Sequence, residues 1–239
     1  MNKKIPPFED LILFEDSDYF VINKPAFVSS LEDRVDPNNL LKIAKKYHDN
    51  SILCHRLDKE TSGALIIAKN MDAYKWMSQQ FESRQIKKRY YAIVDGIHDF
   101  KKIKLELPIS ILAKGSVKID NREGKRSATI INTVKVFKKH SLVSCQPITG
   151  RMHQIRIHLS SLNAPITGDD LYGGKPFYLS SVKRNYKISK YDEERPLINR
   201  IALHANSLKF KKISGDMEIV TAPYPKDFRA LITQLEKNS

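Results

Sequence analysis

Hydrophobic and polar residues alternate along much of the chain, and this period of two predicts β-strands. Residues 11–23 alternate on both sides of a polar turn and therefore predict a β-hairpin. The run 64–68 is apolar throughout, which predicts a buried strand. Further strands are predicted near residues 88–95, 103–107, 126–137 and 141–147.

Other segments carry apolar residues every three to four positions, the spacing of one face of a helix. The predicted helices cover 39–48, a segment capped by Asn70, 153–162 and 226–237. In the second helix, Tyr74, Met77 and Phe81 fall at helical spacing, with Trp76 beside them. This stripe is compatible with a surface for stacking bases, but its spacing favours a helix face packed in the core.

The predicted strands come in groups, and the gaps between them are too short for regular crossover helices. The order of elements therefore predicts an α+β fold with a mainly antiparallel sheet. No repeat, low-complexity tract or linker divides the chain, so we expect a single domain over residues 1–239. The stretch 175–195 has little periodicity and many charges, which predicts a mobile surface insertion.

Lysine and arginine outnumber aspartate and glutamate by 41 to 27, which gives a net charge of +14 over 239 residues. This excess favours a polyanionic partner, above all nucleic acid, without distinguishing DNA from RNA or a binder from an enzyme. No apolar run approaches the roughly twenty residues of a membrane helix, and no secretion signal is evident. We therefore expect a cytoplasmic protein with no membrane partner, whose 2 cysteines are reduced thiols and not a zinc site.

The polar segment 55–63 runs directly into the predicted buried strand, which places its side chains at one end of a sheet. Asp58 lies there among His55, Arg56 and Thr61. A carboxylate among cations and hydroxyl donors stays ionised, and it is able to serve as a nucleophile, a base or a metal ligand. The ordinary alternative for a single aspartate beside an arginine is a surface salt bridge.

A second polar segment covers residues 149–159, where His153 and Arg156 share one face of the predicted helix. That face would present a cation to a phosphate or to the Asp58 carboxylate, unless it is simply the solvated basic face of an amphipathic helix. His153 and His158 are five residues apart, a spacing that does not suit chelation of one metal ion. We expect no metal, and the absence of a glycine-rich phosphate loop gives no reason to expect a nucleotide cofactor.

A third segment, 87–96, is a predicted strand that begins with basic and aromatic residues, a composition typical of surfaces that contact phosphates and stack on bases. Side chains alternate along a strand, so Tyr90 and Tyr91 point to opposite faces. At most one of the two is therefore expected in a site.

Together these segments resemble the RluA-type family of RNA pseudouridine synthases, and the resemblance covers residues 11–225. The matching motifs are His55-Arg56-Leu57-Asp58 with Thr61-Ser62-Gly63, Lys88-Arg89-Tyr90, Gly150-Arg151 with His153-Gln154-Ile155-Arg156 and His158-Leu159, Pro165-Ile166 with Gly168-Asp169 and Tyr172-Gly173, and Leu203-His204-Ala205. The fold implied is a single α+β catalytic domain on a long, mainly antiparallel mixed sheet with flanking helices and a central RNA-binding cleft.

The activity implied by the resemblance is isomerisation of specific uridines in structured ribosomal or transfer RNA to pseudouridine, with the target base flipped out of its stack. Family members use no cofactor and no metal. The resemblance assigns catalysis to Asp58, which attacks the substrate, to Tyr90, which packs on the target base, and to Arg156, which pairs with the aspartate. It assigns substrate and RNA binding to His55, Arg56, Thr61, Lys88, Arg151, His153, Gln154 and Leu203. A monomer without an obligate protein partner is expected, and the RNA and the uridine position stay open.

Phe27 and Met152 depart from the pattern of the family, which usually has glycine at the first position and threonine or serine at the second. The small RNA-binding domain that many relatives carry is not expected before residue 11. Two other function classes stay open at this point. One is a non-catalytic RNA-binding or RNA-folding protein on the same scaffold, and the other is a DNA-binding or metal-dependent nucleic-acid hydrolase.

Overall fold

The secondary structure of the chain follows from a computed structural model that describes residues 5–31, 39–113, 115–183, 186 and 193–239. The strands are β1 (Ile12–Glu15), β2 (Tyr19–Lys24), β3 (Ile52–Leu53), β4 (Ser62–Ala68), β5 (Lys87–Asp95), β6 (Ile103–Glu106), β7 (Ile109–Ile111), β8 (Val117–Ile119), β9 (Ala128–Val136), β10 (His140–Pro147), β11 (Leu203–Lys211) and β12 (Met217–Thr221). The α-helices are α1 (Leu40–Tyr47), α2 (Met71–Glu82), α3 (Gln154–Ser161) and α4 (Lys226–Lys237). The predicted α+β class is confirmed.

The chain divides into two compact units. Unit 1 consists of residues 1–89 and 204–223, and unit 2 of residues 90–203 and 224–239. In unit 1, β2 pairs antiparallel with β1 and β4, β3 pairs antiparallel with β4, and β12 pairs antiparallel with β11. Strand β11 pairs parallel with β4, so the sheet is mixed.

The first hairpin forms because Asp16 closes its turn. The Asp16 carboxylate accepts hydrogen bonds from the backbone N–H groups of Asp18 (2.9 Å) and Tyr19 (2.8 Å). This local chemistry is what the alternating pattern predicted around the polar turn. Every residue of β4 is buried, as the apolar run 64–68 predicted.

Helices α1 and α2 begin at asparagines that cap them. Asn39 and Asn70 accept hydrogen bonds from the backbone N–H groups of Lys42 (2.9 Å) and Ala73 (2.8 Å). In α2, Met77 is fully buried and belongs to the core of unit 1. The interpretation of the α2 stripe as a core face is therefore confirmed.

Unit 2 is built on the antiparallel order β5–β10–β9–β6, with a separate β7–β8 hairpin. Helix α4 contributes Phe228, Leu231 and Leu235 to its core. Helix α3 starts one residue later than the predicted 153–162 segment, because His153 adopts a left-handed conformation with φ 51° immediately before it.

The expectation for residues 175–195 is wrong for the start of that stretch. Phe177 is only 2% exposed and lies in the core of unit 2, and a short 3-10 helix covers Leu179–Ser181. Residues 184–185 and 187–192 lie outside the described part of the chain. Among the described residues, no helix combines the length and the apolar character needed to cross a membrane.

Candidate active site

The loop that carries Asp58 lies between β3 and β4 in unit 1, and hydrogen bonds hold its backbone on both sides of the Asp58 side chain. The Ser30 hydroxyl donates to the carbonyl of Leu57 (3.0 Å) and accepts from its N–H (3.2 Å). The N–H of Thr61 donates to the carbonyl of Asp58 (3.0 Å). The Asp58 side chain is partly exposed. Because hydrogen bonds hold its backbone, the carboxylate has a defined position.

Lys24 is a structural partner of this loop that the sequence analysis did not identify. It is fully buried, and its Nζ donates to the carbonyls of Pro25 (3.0 Å), Val28 (2.9 Å) and Lys59 (3.2 Å). A buried ammonium needs such acceptors because it has lost its hydration. The clue available from sequence was a lysine at the end of an otherwise apolar strand pattern.

Phe27, which stands where the family usually has glycine, has φ 68° and so occupies the left-handed region. Glycine enters that region without a steric penalty, whereas other residues are strained there. The N–H of Phe27 donates to the carbonyl of Lys59 (2.7 Å), the same oxygen that Lys24 contacts. The departure in sequence therefore falls on a strained residue that anchors the Asp58 loop.

His55 is held inside unit 1 by its backbone and ring contacts. Its Nε2 accepts the N–H of Ile66 (3.1 Å), and its ring lies 4.9 Å from the ring of Phe81. Burial, with a smaller effect of the positive Lys88, lowers the pKa of His55 to about 3, so the imidazole is neutral. Burial also lowers the pKa of Lys88 to about 8. These contacts hold His55 in place within unit 1, and its assignment to substrate and RNA binding stays a prediction.

The remaining predicted binding residues of this loop differ in exposure. Arg56 is exposed and accessible to a polyanion. Thr61 is 2% exposed, and its buried hydroxyl has no hydrogen-bond partner in the part of the chain that the structure describes. A buried hydroxyl left in this state is unusual and is suited to take up a substrate group or a water molecule.

Strand β4 is joined to β11 through a close approach that only glycine permits. A Cβ at Gly63 would lie 2.1 Å from the carbonyl oxygen of Ala205, and Gly63 has φ +118°. Next to it, the Ser62 hydroxyl lies 2.9 Å from Nδ1 of the buried His204, and Nε2 of His204 lies 3.1 Å from the carbonyl of Ala222. Since a carbonyl only accepts, His204 carries its proton on Nε2 and accepts the Ser62 hydroxyl at Nδ1.

In unit 2, Arg156 forms a bidentate ion pair with Asp169, with Nε–Oδ2 and Nη2–Oδ1 distances of 2.7 Å. Arg156 is 9% exposed, so the alternative of a solvated basic helix face is wrong for this residue. The shared helix face of His153 and Arg156 is also wrong, because His153 precedes the helix. The predicted pairing of Arg156 with Asp58 joins residues of different units and stays a prediction.

Gln154 is buried, and all four hydrogen-bonding positions of its amide are engaged within unit 2. Its Oε1 accepts from the Thr149 hydroxyl (2.6 Å) and the Arg151 N–H (3.0 Å). Its Nε2 donates to the Ala128 carbonyl (2.9 Å) and the Thr129 hydroxyl (2.9 Å). The geometry thus favours a role in shaping the turn before α3 over the direct RNA contact that the motif suggested.

The other predicted residues of unit 2 divide between surface and core. Arg151 is exposed, and Nδ1 of His153 lies 2.9 Å from the Tyr172 hydroxyl. Leu203 is 4% exposed and belongs to the core. Tyr91 packs against the ring of Tyr224 at 5.7 Å, which leaves Tyr90, partly exposed on the other face of β5, as the tyrosine suited to a site.

The described residues contain no group of three or more His, Cys, Asp or Glu side chains arranged to hold a metal ion. Unit 1 presents a partly exposed carboxylate on a fixed loop, and unit 2 contains a partly exposed tyrosine and an arginine held by a buried acid. Such groups are suited to acid–base and nucleophilic chemistry on an anionic substrate.

Comparison with known proteins gives consistent findings. A sequence model of the RNA pseudouridylate synthase family matches residues 18–161. The chain is 35% identical to the ribosomal large subunit pseudouridine synthase C of Buchnera aphidicola subsp. Baizongia pistaciae, over 95% of this chain and 71% of the relative. It is 35% identical to the uncharacterized RNA pseudouridine synthase YhcT of Bacillus subtilis, over 95% and 73%. The solved structure of human RNA pseudouridylate synthase domain containing 4 aligns with a TM-score of 0.74 and 26% identity, over 96% of this chain and 94% of that one.

Proposed function

Because the chain belongs to the RNA pseudouridylate synthase family, we propose that it converts specific uridines of structured RNA to pseudouridine with Asp58 as its essential group. The observation that carries the proposal is the Asp58 loop, whose backbone is fixed by Ser30 and Thr61 while the carboxylate stays partly exposed. A fixed, accessible carboxylate is what attack on a bound nucleoside needs.

The reaction breaks the N1–C1′ glycosidic bond of uridine and joins C5 of the base to C1′. The proton on C5 is lost to solvent, and N1 takes up a proton, so the product is an isomer of the substrate. In this proposal Asp58 attacks the substrate, either at the ribose or at the base. Tyr90 packs on the target base and helps to remove the C5 proton. Arg156 orients the aspartate through its guanidinium group.

The RNA must be held while the target base is extruded, which costs a few kcal/mol. A net charge of +14 supplies phosphate contacts that offset this cost. Exposed Arg56 and Arg151 are the candidates for such contacts among the motif residues. The partly exposed His55 and the buried Gln154 and Leu203 act by shaping the site.

We propose ribosomal RNA as the substrate class, because the Buchnera relative is named a ribosomal large subunit pseudouridine synthase. Transfer RNA is the alternative that the same chemistry allows. A cytoplasmic monomer, with residues 1–239 forming a single catalytic domain and without an obligate protein partner, is part of the same proposal. Size-exclusion chromatography with light scattering checks the monomer, since a dimer would double the mass.

The test uses RNA labelled with tritium at uridine C5, taken from cells that lack this gene and separated into ribosomal and transfer fractions. Wild-type protein is expected to release tritium from ribosomal RNA, and Asp58→Asn is expected to release none. Asp49→Asn is the matched control, because it makes the same chemical change at an exposed aspartate of unit 1. EDTA present throughout tests the metal-dependent hydrolase alternative.

Each result has a distinct meaning. Release by Asp58→Asn at the wild-type rate would refute the role of Asp58. Binding of RNA without release by the wild type would favour the non-catalytic RNA-binding alternative. Release from transfer RNA alone would keep the activity and overturn the proposed substrate class.

A further inference from the structure

Phe27, in the loop that follows β2, combines a strained backbone with a large exposed ring. Its φ of 68° lies in the left-handed region, which strains every residue except glycine. Phe27 nevertheless remains 39% exposed, so burial of its ring is incomplete. Backbone strain persists where the surrounding structure enforces it, and it is concentrated at ligand-binding sites. The aromatic residue at this position therefore calls for an explanation beyond packing.

Hydrogen bonds fix the backbone on both sides of Phe27. Nζ of the buried Lys24 donates to the carbonyls of Pro25 (3.0 Å) and Val28 (2.9 Å), which lie before and after Phe27 in the chain. The N–H of Phe27 donates to the carbonyl of Lys59 (2.7 Å). A side chain on a backbone held in this way loses little conformational freedom when a ligand packs against it. The ring is therefore presented in advance of binding.

The segment to which Phe27 is tied carries positive charge as well as the candidate nucleophile. Lys59 directly follows Asp58, and Lys59 and Arg56 are both exposed. An exposed aromatic ring close to cations is typical of surfaces that bind single-stranded nucleic acid, in which the ring stacks on a base and the cations contact phosphates. A net charge of +14 favours such a polyanion over a protein partner.

We propose that the ring of Phe27 stacks on an unpaired base of the substrate RNA. The proposal rests on the proposed function and deepens it, because it requires an RNA that presents a single-stranded base besides the target uridine. Removal of one aromatic ring from such a contact weakens binding by about tenfold. The ring takes no part in the chemistry at Asp58, so its effect falls on affinity.

The test is Phe27→Leu, which keeps a large apolar side chain at the strained position but removes the flat ring. With ribosomal RNA from cells that lack this gene, we expect the dissociation constant and KM to rise about tenfold. We expect kcat for tritium release to stay within about threefold of the wild type, because the chemical groups are unchanged. Wild-type affinity in a folded Phe27→Leu protein would refute the stacking contact.

Defined RNAs show whether the contact is made with an unpaired base. The probes are an oligouridylate of about 12 nucleotides and an RNA duplex of about 12 base pairs. Phe27→Leu is expected to weaken binding of the single strand only, and an equal loss with the duplex would contradict the proposal. The dependence of affinity on salt should keep the wild-type slope, because stacking releases no counterions. A slope lower by about one would assign the loss to a phosphate contact instead.

The matched control is Tyr47→Leu, the same kind of change at another exposed aromatic residue of unit 1. Tyr47 is 46% exposed, and its ring packs against the ring of Phe8 at 5.1 Å. This control is expected to lower the melting temperature and to keep the dissociation constant for oligouridylate within about twofold of the wild type. Equal weakening in both variants would mean that the loss is not specific to Phe27.

Phe27→Trp adds a spectroscopic signature of stacking. The wild type, whose only tryptophan is Trp76, supplies the background fluorescence. Oligouridylate is expected to quench the additional fluorescence of the variant, because a base stacks on the indole. Inorganic polyphosphate, a polyanion without bases, is expected to leave it unchanged. Absence of quenching by oligouridylate, or equal quenching by both polyanions, would overturn the proposal.

Phe27→Gly covers the case in which Phe27→Leu does not fold. Glycine relieves the backbone strain, which offsets the lost contacts of the ring, so the melting temperature is expected to stay within about 3 °C of the wild type. Its dissociation constant for oligouridylate is still expected to rise about tenfold, and wild-type affinity would refute the contact. Tritium release by the wild type, with none from Asp58→Asn, shows that such a failure concerns this inference and not the proposed function.

Discussion

Replacement of Lys24 by methionine tests whether a buried ammonium fixes the Asp58 loop. The side chain keeps its length and apolar stem, but three carbonyls lose a donor at 2.9–3.2 Å. The carbonyl of Lys59 keeps the N–H of Phe27, so the main loss falls on the carbonyls of Pro25 and Val28. A buried acceptor left without a partner costs about 1–3 kcal/mol.

A gain in solvation free energy offsets part of the cost of these unpaired carbonyls. Burial of an ammonium costs several kcal/mol in lost hydration, and the methionine side chain does not carry this cost. Two orphaned carbonyls cost about 2–6 kcal/mol together, and the solvation gain offsets part of this, so we expect Lys24→Met to lower the free energy of unfolding by about 2–4 kcal/mol.

Urea unfolding followed by far-UV circular dichroism measures this change. Lys46→Met is the control, because Lys46 is exposed on α1, and its effect is expected to stay within about 0.5 kcal/mol. A loss for Lys24→Met below about 0.5 kcal/mol would refute the reasoning that the ammonium holds these carbonyls.

The remaining predictions concern pH and the junction of β4 with β11. The pKa of His55 is about 3 in the folded state against 6.5 ordinarily, so the unfolded chain binds more protons and stability falls as pH drops from 6.5 towards 3. The free energy of unfolding in urea should therefore decline more steeply with falling pH in wild type than in His55→Gln, by up to about 1.4 kcal/mol per pH unit, and parallel curves would contradict this. Gly63→Ala should destabilise unit 1 by at least about 3 kcal/mol through its clash with Ala205. Gly215→Ala, also at positive φ but with its nearest neighbour 3.9 Å away, should lose only about 1 kcal/mol, and equal melting temperatures for the two variants would contradict the clash.

Local patterns were sufficient for most of the elements. The first hairpin depends on Asp16 within its own turn, and α2 depends on Asn70 and on the spacing that buries Met77. These features depend on a few consecutive residues, so their periodicity and capping residues can be recognised in the sequence.

The hydrogen-bond partners of the candidate site residues could not be predicted from such local patterns. Arg156 pairs with Asp169 thirteen residues later, beyond the end of α3 and the loop that follows it, and no local rule pairs the two. The motif assigned Gln154 to RNA binding. Its side-chain amide instead makes hydrogen bonds to four groups that come together only in the folded unit. The motifs are visible in sequence, whereas the partners of Arg156 and Gln154 depend on tertiary contacts.

The most direct measurement of the central claim is the nucleoside composition of ribosomal RNA after reaction with purified protein. RNA from cells lacking this gene is incubated with wild type or Asp58→Asn and digested to nucleosides. Reversed-phase chromatography then separates pseudouridine from uridine by retention time. We expect pseudouridine to increase and uridine to decrease by the same amount with wild type only. An equal increase with Asp58→Asn, or none with a wild type that binds the RNA, would contradict an isomerase that depends on Asp58.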